Sequence, residues 1–174
     1  MSTSNLNSAT IVPPIDKPYY GIGLGGAIGR YFRKYATFSG RASRSEYWWA
    51  WLFVGVVTAV LSVLTKVPGV GEGFGIAGLI WLVATIIPNL SLGVRRLHDS
   101  NRSGWFVLLP SVFIYAGQFV ADFALEHYMG NSSATDGGAF SGVMAGGVLL
   151  AIGAVLTIAL YVAKSRPEGA RFDK

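Results

Sequence analysis

The sequence predicts an all-α membrane protein: four transmembrane helices in an antiparallel bundle, preceded by a short N-terminal interfacial helix. Only 13% of its 174 residues are charged, about half of the ~25% typical of soluble domains, and the mean hydropathy is +0.47. Each predicted span is close to the ~20 residues that a helix needs to cross ~30 Å of hydrocarbon. The four spans, none of which contains Asp, Glu, Lys or Arg, are 47–65, 74–94, 105–121 and 142–163.

The composition also excludes several kinds of chemistry. Cysteine is absent, which rules out disulfides, thiolate metal sites and cysteine nucleophiles. The glycine-rich run 21–29 lacks the Gly-Lys-Ser/Thr ending of a phosphate-binding loop. No catalytic signature is present, so we expect no catalytic residue, no metal and no cofactor, and we predict that the protein is not an enzyme.

The first predicted element is a polar tail. Residues 1–20 contain three prolines and no apolar core of the kind found in signal peptides, so we expect a disordered cytoplasmic tail. In 21–38, Tyr31, Tyr35 and Phe38 recur at helical spacing between basic residues. This pattern is typical of an interfacial helix, with its rings toward the acyl chains and its cations toward lipid phosphates. The alternative is an ordinary juxtamembrane linker.

The first two spans carry signals at their ends. Ser43 and Glu46 fit a capping box, in which each side chain accepts a hydrogen bond from the other residue's backbone amide. A glycine-rich loop at 66–73 makes spans one and two antiparallel neighbours. Pro88 in span two leaves a backbone carbonyl without its helical donor, and in a membrane that carbonyl needs another partner. We expect a kink there, with Asn89 and Ser91 as candidate partners.

Spans three and four suggest how helices pack. Gln118 in span three is expected to make an interhelical hydrogen bond. Gly142 and Gly146 in span four form a small-residue face that allows close helix approach. We expect this face to pack within the chain; a homo-oligomer through it is the alternative. The membrane domain is placed at 21–165, followed by a cytoplasmic tail at 166–174.

The distribution of basic residues predicts the orientation. Thirteen of the fourteen Lys and Arg residues lie before span one, between spans two and three, or after span four. Only Lys66 lies on the opposite side. The positive-inside rule places both termini in the cytoplasm. Because topology explains the net charge of +5, we expect no nucleic-acid partner.

Two polar segments carry a family resemblance. They are Phe38-Ser39-Gly40-Arg41-Ala42-Ser43-Arg44-Ser45-Glu46-Tyr47-Trp48-Trp49 and Arg95-Arg96-Leu97-His98-Asp99-Ser100-Asn101-Arg102-Ser103-Gly104-Trp105. Together they resemble the bacterial domain-of-unknown-function family 805, small inner-membrane proteins of the YhaH type, over about residues 28–165. The resemblance implies a multi-pass bacterial inner-membrane protein without an established activity.

Both segments are predicted on the cytoplasmic face, where they would form a collar of arginine and tryptophan side chains. Arginine suits the recognition of phosphate and carboxylate groups, so anionic phospholipid is the expected partner, with an acidic protein as the alternative. We expect the two acids to pair with arginines of the opposite segment. The binding candidates are Arg41, Arg44, Arg95, Arg96, His98, Arg102 and Trp105; the structural caps and ion pairs are Ser43, Glu46 and Asp99.

Two other interpretations remain open from the sequence. The arginines and acids can simply hold the helix ends together. Alternatively, the chain is a small oligomeric transporter or channel component, with Asn89, Ser91 and Gln118 along a polar path. An enzyme that uses His98 as a base is disfavoured, because adjacent residues on a helix point about 100° apart and Asp99 therefore cannot easily orient it.

Overall fold

The computed structural model describes residues 12–130 and 137–173. Within these ranges the chain is helical and contains no strand, and four helices are long and apolar enough to cross a membrane. The predicted fold class is therefore confirmed. The α-helices are α1 Leu24–Arg33, α2 Arg44–Leu64, α3 Gly71–Asp99, α4 Leu108–Gly130 and α5 Gly137–Tyr161, with short 3-10 helices at Gly104–Val107 and Pro167–Phe172.

The third membrane helix extends further than the apolar run suggested. The prediction ended at residue 121, but α4 continues to Gly130. Residues 122–129 include Ala, Leu, Glu and Met, which favour helix, and a helix that leaves the hydrocarbon keeps its own hydrogen bonds.

The membrane helices form two hairpins, α2–α3 and α4–α5, of which the second is packed more closely along its length. A Cβ added at Gly146 would lie 2.8 Å from the backbone oxygen of Gly117, and one added at Gly142 would lie 2.7 Å from the Cβ of Ala124. The Gly142/Gly146 face is thus covered by α4 of the same chain. Within the described ranges Gln118 makes no interhelical hydrogen bond of the predicted kind; it donates to Asp122 of its own helix at 2.8 Å.

The backbone carbonyl that Pro88 leaves without a helical donor has a partner that was not predicted from the sequence. Pro88 cannot donate to the carbonyl of Ala84, four residues earlier. The hydroxyl of Tyr35 donates to that carbonyl instead, at 2.5 Å. Next to the proline, Asn89 Oδ1 accepts a hydrogen bond from the Tyr31 hydroxyl at 2.8 Å, and the Ser91 hydroxyl lies 3.0 Å from the carbonyl oxygen of Tyr35. The aromatic stretch around α1 therefore docks on α3 at the interrupted part of its backbone.

The buried part of the molecule lies at one end of the bundle. This basic end carries the segment before α1, the α3–α4 connection and the segment after α5. All ten residues 91–100 are buried, including charged ones, whereas the membrane spans expose most of their apolar side chains. Polar groups in the interior and apolar groups outside are the arrangement expected when the solvent around the helices is lipid.

Both terminal segments pack onto the basic end. Residues 12–23, called the strap below, precede α1. Disorder was expected to residue 20, yet residues 12–20 contact α1 and the start of α2. Residues 1–11 lie outside the described ranges. The segment 166–173, predicted as a free tail, folds back through the 3-10 helix Pro167–Phe172.

Candidate functional site

The start of α2 has the capping box that the sequence suggested. Ser43 precedes the helix in an extended conformation, and its hydroxyl accepts from the amide of Glu46 at 3.1 Å. Glu46 Oε2 accepts from the amide of Ser43 at 2.8 Å. Two backbone donors at this buried helix end are satisfied in this way.

The second oxygen of Glu46 forms an ion pair that connects three parts of the chain. Arg30 Nε lies 2.7 Å from Glu46 Oε1, and both side chains are buried. The remaining guanidinium nitrogens of Arg30 donate to strap carbonyls, including those of Pro14 at 2.9 Å and Lys17 at 2.7 Å. The amide of Tyr19 donates to Glu46 Oε2 at 3.0 Å. Arg30 and Glu46 thus join the strap, α1 and α2.

The expected partner of Glu46 was therefore wrong. An arginine of the second polar segment was predicted, but the first turn of α2 packs against α1. Arg30, on α1, consequently reaches the carboxylate. The sequence did hold a signal: Arg30 and Lys34 are four residues apart and share one face of a helix beside the capping box.

Asp99 also pairs differently from the prediction. Arg96 Nη1 donates to Asp99 Oδ2 at 2.7 Å, and both side chains are fully buried. The pair lies within one segment because residues three apart share a helix face. Arg96 Nε donates to the carbonyl of Tyr161 at 3.0 Å, and Nη2 donates to the carbonyl of Ala163. Arg96 therefore caps the carboxyl end of α5.

Several segments converge on Asp99. Its Oδ1 accepts from the hydroxyl of Tyr20 in the strap at 3.0 Å, and its Oδ2 accepts from the hydroxyl of Ser165. The backbone carbonyl of Asp99 accepts from the amide of Arg166 at 2.8 Å. Burial, followed by the nearby Asp99 charge, raises the pKa of Tyr20 despite the hydrogen bond to Ser165. Asp99 is a structural junction, with its carboxylate fully used.

Arg41 and His98 hold the C-terminal segment. Arg41 makes a bidentate pair with Asp173, through Nε at 2.8 Å and Nη2 at 2.6 Å. Its hydrogen bond with Asp173 raises the pKa of Arg41. The His98 ring stacks on Phe172 with centroids 3.9 Å apart, and its Nδ1 lies 3.2 Å from the carbonyl of Gly40. Since a carbonyl only accepts, Nδ1 carries the proton.

Arg95 is buried beside a second buried cation. Its Nε donates to the carbonyl of Ser91 at 3.2 Å, while its Nη2 and the Nζ of Lys34 find no hydrogen-bond partner among the described residues. Lys34 is 2% exposed and Arg95 is 1% exposed. Burial, and then the positive charge of Arg95, lowers the pKa of Lys34 to about 8. The negative charge of Glu46 acts on both Lys34 and Arg95.

The predicted collar is thus divided between the interior and the surface. Arg41, Arg95 and Arg96 are held by contacts within the chain, as described above. Arg44 is exposed, Arg102 is half-buried, and Trp105 is 79% exposed. The two arginine segments do meet at the basic end, since the amide of Ala42 donates to the carbonyl of Arg95 at 3.0 Å.

One cleft at this end is lined by three accessible cationic side chains. Its volume is about 360 Å³, and it lies between the α3–α4 connection and the segment after α5. Among the described residues, no carboxylate lines it. Its lining residues are Ser100, Asn101, Arg102, Ala163, Lys164 and Arg166. Lys164 and Arg166 were not predicted as site residues because they lie outside the two polar segments; their place beside Arg102 follows from the hydrogen bond between Arg166 and Asp99.

The polar path of the transport interpretation is not continuous. Asn89 faces a cavity between the hairpins. Ser91 is buried against backbone carbonyls near the end of α1. Gln118 is exposed and is not among the residues that line that cavity.

Comparison with known proteins supports the family resemblance of the two polar segments. The family model for proteins of unknown function, DUF805, matches residues 35–174. Inner membrane protein YhaI of Escherichia coli strain K12 is 40% identical over 77 residues, which are 44% of this chain and 64% of the relative. Inner membrane protein YhaH of the same strain is 39% identical over 79 residues, 44% of this chain and 65% of the relative.

These relatives are matched over only part of their length. The chain spans just under two thirds of each, and no solved structure matches it. The family match covers both polar segments and all four membrane helices. By that match and by its four membrane helices, the chain belongs to the DUF805 family of proteins of unknown function.

Proposed function

We propose that this protein is a binding module of the bacterial inner membrane, with both termini in the cytoplasm, that holds the phosphate of an anionic phospholipid. The cleft of Arg102, Lys164 and Arg166 is the binding site. The observation that carries the proposal is the convergence of three accessible cations in a cleft that no carboxylate of residues 12–130 or 137–173 lines. A binding role, rather than a reaction, fits such a site.

The location of the cleft favours a lipid over a soluble anion. Trp105 follows Arg102 by three residues and is largely exposed, as expected of an aromatic anchor at the membrane–water interface. Anionic lipids give the cytoplasmic leaflet a negative potential, worth about 1 kcal/mol for each nearby Lys or Arg. Three cations in one cleft therefore favour an anionic headgroup there over a zwitterionic one.

The test compares phosphatidylglycerol with phosphatidylcholine in nanodiscs by native mass spectrometry. The triple variant Arg102→Gln/Lys164→Gln/Arg166→Gln should retain about tenfold less phosphatidylglycerol. The matched control Arg33→Gln/Arg44→Gln/Arg171→Gln removes three exposed arginines outside the cleft and should retain the lipid. Equal losses in both variants would show a diffuse surface charge effect, and binding of free glycerol phosphate without lipid preference would show a site for soluble anions.

The proposed orientation has its own test. Because the natural chain has no cysteine, single cysteines can be placed at the exposed positions Val67 and Ala170. A membrane-impermeant maleimide should label Val67→Cys in intact spheroplasts and Ala170→Cys only after permeabilisation. The reverse pattern would overturn the orientation and place the cleft at the outer leaflet.

A further inference from the structure

A cavity of about 530 Å³ lies between the two hairpins, inside the membrane-spanning part of the molecule. It runs along α2 from Tyr47 through Trp51 and Gly55 to Ala59. Twelve residues of helix correspond to roughly 18 Å, so the cavity is elongated along the helix axis. Its volume falls in the range of about 300–1,000 Å³ that is typical of ligand sites.

The cavity is spacious at a position where the chain carries glycine. A Cβ added at Gly55 would meet no atom within 4 Å. By contrast, glycines on the α4–α5 interface meet atoms at under 3 Å. The space at Gly55 between the hairpins thus contrasts with the close packing of α4 against α5.

Besides the more exposed Trp51 and Tyr115, the polar groups of the cavity fall into two classes. Three hydroxyls donate to the backbone carbonyl four residues earlier in the chain: Thr58 to Val54 at 2.8 Å, Ser111 to Val107 at 2.7 Å and Thr157 to Gly153 at 2.8 Å. These hydroxyls already donate hydrogen bonds within the protein, so they have no free donor to offer a ligand.

The second class still has donors to offer. Asn89 uses its Oδ1 for Tyr31, which leaves its amide NH₂ toward the cavity that it lines. Tyr47 and Tyr161 also line it, and within the described residues neither hydroxyl is engaged in a hydrogen bond. Tyr47 is 7% exposed and Tyr161 is 3% exposed, so both side chains are reached mainly from the cavity.

These donors have a definite arrangement. Tyr47 is in the first turn of α2 and Tyr161 is the last residue of α5, so both lie at the basic end of the cavity. Asn89 lies deeper, and beyond it the wall is formed by Gly55, Ala59 and similar residues. The cavity is thus polar at its membrane-surface end and mainly apolar inside the membrane.

We propose that this cavity binds a single-chain neutral amphiphile whose ester or hydroxyl oxygens accept hydrogen bonds from Tyr47, Tyr161 and Asn89 while its acyl chain lies along α2. The excess of donors selects a head with acceptor oxygens. The apolar length selects one extended chain. The site is independent of the cationic cleft, shares no lining residue with it, and does not depend on the proposed function.

The experiment uses two photoreactive probes on the full chain in phosphatidylcholine nanodiscs: a diazirine-bearing monoacylglycerol and a diazirine-bearing alkane of equal length. The monoacylglycerol should label Trp51, Ala59 and Ile114, as mapped by peptide mass spectrometry, and excess unlabelled monoacylglycerol should compete. The Gly55→Leu variant should reduce this labelling about tenfold. Gly147→Leu, at a glycine that also has open space but lies outside the cavity, should leave it unchanged.

The ratio of ester to alkane labelling tests the role of the donors. Asn89→Leu should lower this ratio severalfold, whereas Tyr31→Phe, which removes only the internal bond to Asn89, should not. If Gly55→Leu fails to give a monodisperse protein, Ala59→Phe serves as the second filling variant. Equal labelling by both probes in every variant would mean that the cavity holds only bulk lipid, which would overturn the proposal. Labelling that excess unlabelled monoacylglycerol does not reduce would also overturn it, as the sign of an adventitious additive only.

A further comparison separates this proposal from the phospholipid cleft. The triple variant of Arg102, Lys164 and Arg166 should label normally with the neutral monoacylglycerol, because it leaves the cavity untouched. Loss of labelling in that variant would mean that the two sites are one and would overturn the inference of an independent neutral site. Failure of the cleft to select phosphatidylglycerol would leave the labelling result unaffected.

Discussion

The carboxylate of Glu46 lies 2.7 Å from Arg30 Nε and also accepts the amides of Ser43 and Tyr19. One acid therefore fixes the start of α2, the position of α1 and the course of the strap. The pair is almost wholly buried. If one partner were removed, water could not solvate the charge of the other, so the loss would be costly.

The identity of this pair can be tested by charge reversal. Glu46→Arg should destabilise the fold by about 3–5 kcal/mol, the usual effect of breaking a buried pair. Adding Arg30→Glu should restore part of that loss, and adding Arg96→Glu should not, because Arg96 pairs with Asp99. Thermal unfolding followed by tryptophan fluorescence in detergent is the measurement. Rescue by Arg96→Glu would contradict the contact.

The Arg96–Asp99 pair predicts a second pattern of stability. Arg96→Met should cost about 3–5 kcal/mol, because it leaves a buried carboxylate unpaired and uncaps the end of α5. Arg96→Met/Asp99→Leu should be less destabilised than Arg96→Met alone. Arg102→Met, which changes only the lining of the cleft, is the control and should unfold at the temperature of the natural protein. If Arg102→Met lost as much stability as Arg96→Met, the distinction between interior and accessible arginines would be wrong.

Lys34 predicts a dependence of stability on pH. Its pKa is lowered from 10.5 to about 8 by burial and by Arg95, so the unfolded chain binds more protons than the folded one between these pH values. The free energy of unfolding should therefore rise as the pH increases from about 8 to about 10.5. Below pH 8 the full cost of charging Lys34 is present, on the order of 1 kcal/mol or more.

Replacement of Lys34 isolates that effect. Lys34→Met should raise the unfolding temperature at pH 7 and flatten the change between pH 8 and pH 10.5. Lys17→Met, at an exposed lysine of the strap, is the comparison and should retain the slope. A slope that persists in Lys34→Met would assign the titration to another group.

The close approach of α4 and α5 gives a steric prediction. A side chain at Gly146 would meet Ala121 and Gly117 at under 3 Å, so Gly146→Leu should separate the helices and cost about 1–3 kcal/mol through overpacking. Gly147→Leu places the same group in open space and should be nearly neutral. Unfolding in detergent distinguishes the two variants, and similar losses in both would argue against the contact.

The repair of the proline site predicts a role for a single hydroxyl. Tyr35→Phe deprives the Ala84 carbonyl of its donor and should cost about 1–3 kcal/mol for an unsatisfied group. Tyr115→Phe removes a half-exposed hydroxyl and should change stability little. Hydrogen exchange of the α3 amides around Pro88 should rise in the first variant alone. Unchanged exchange in Tyr35→Phe would mean that the carbonyl has another donor.

Much of the membrane fold could be predicted because its signals are local. Length and the absence of charge suffice to locate four spans, since hydrocarbon imposes both on any helix that crosses it. The capping box of Ser43 and Glu46 is equally local: it depends on a spacing of three residues and on nothing elsewhere in the chain. The family resemblance was also visible in the sequence, in two continuous polar segments that lie within the matched residues 35–174.

The partners of the charged groups could not be predicted in the same way. Arg30, Arg95 and Arg96 have the same side chain, and the sequence does not indicate which arginine faces the Glu46 carboxylate. That choice depends on how α1 and the strap pack against α2. It also depends on the return of the C-terminal segment, which gives Arg41 a partner in Asp173 and brings Lys164 and Arg166 beside Arg102.

The sequence by itself determined that the chain crosses a membrane four times and gathers its arginines at one end, because lipid selects apolar length and excludes charge. Only the tertiary structure decided which of those arginines are available. Burial makes an unpaired charge costly, so the interior arginines are held by acids and carbonyls. The cations of the cleft are left facing outward, where a phosphate can reach them.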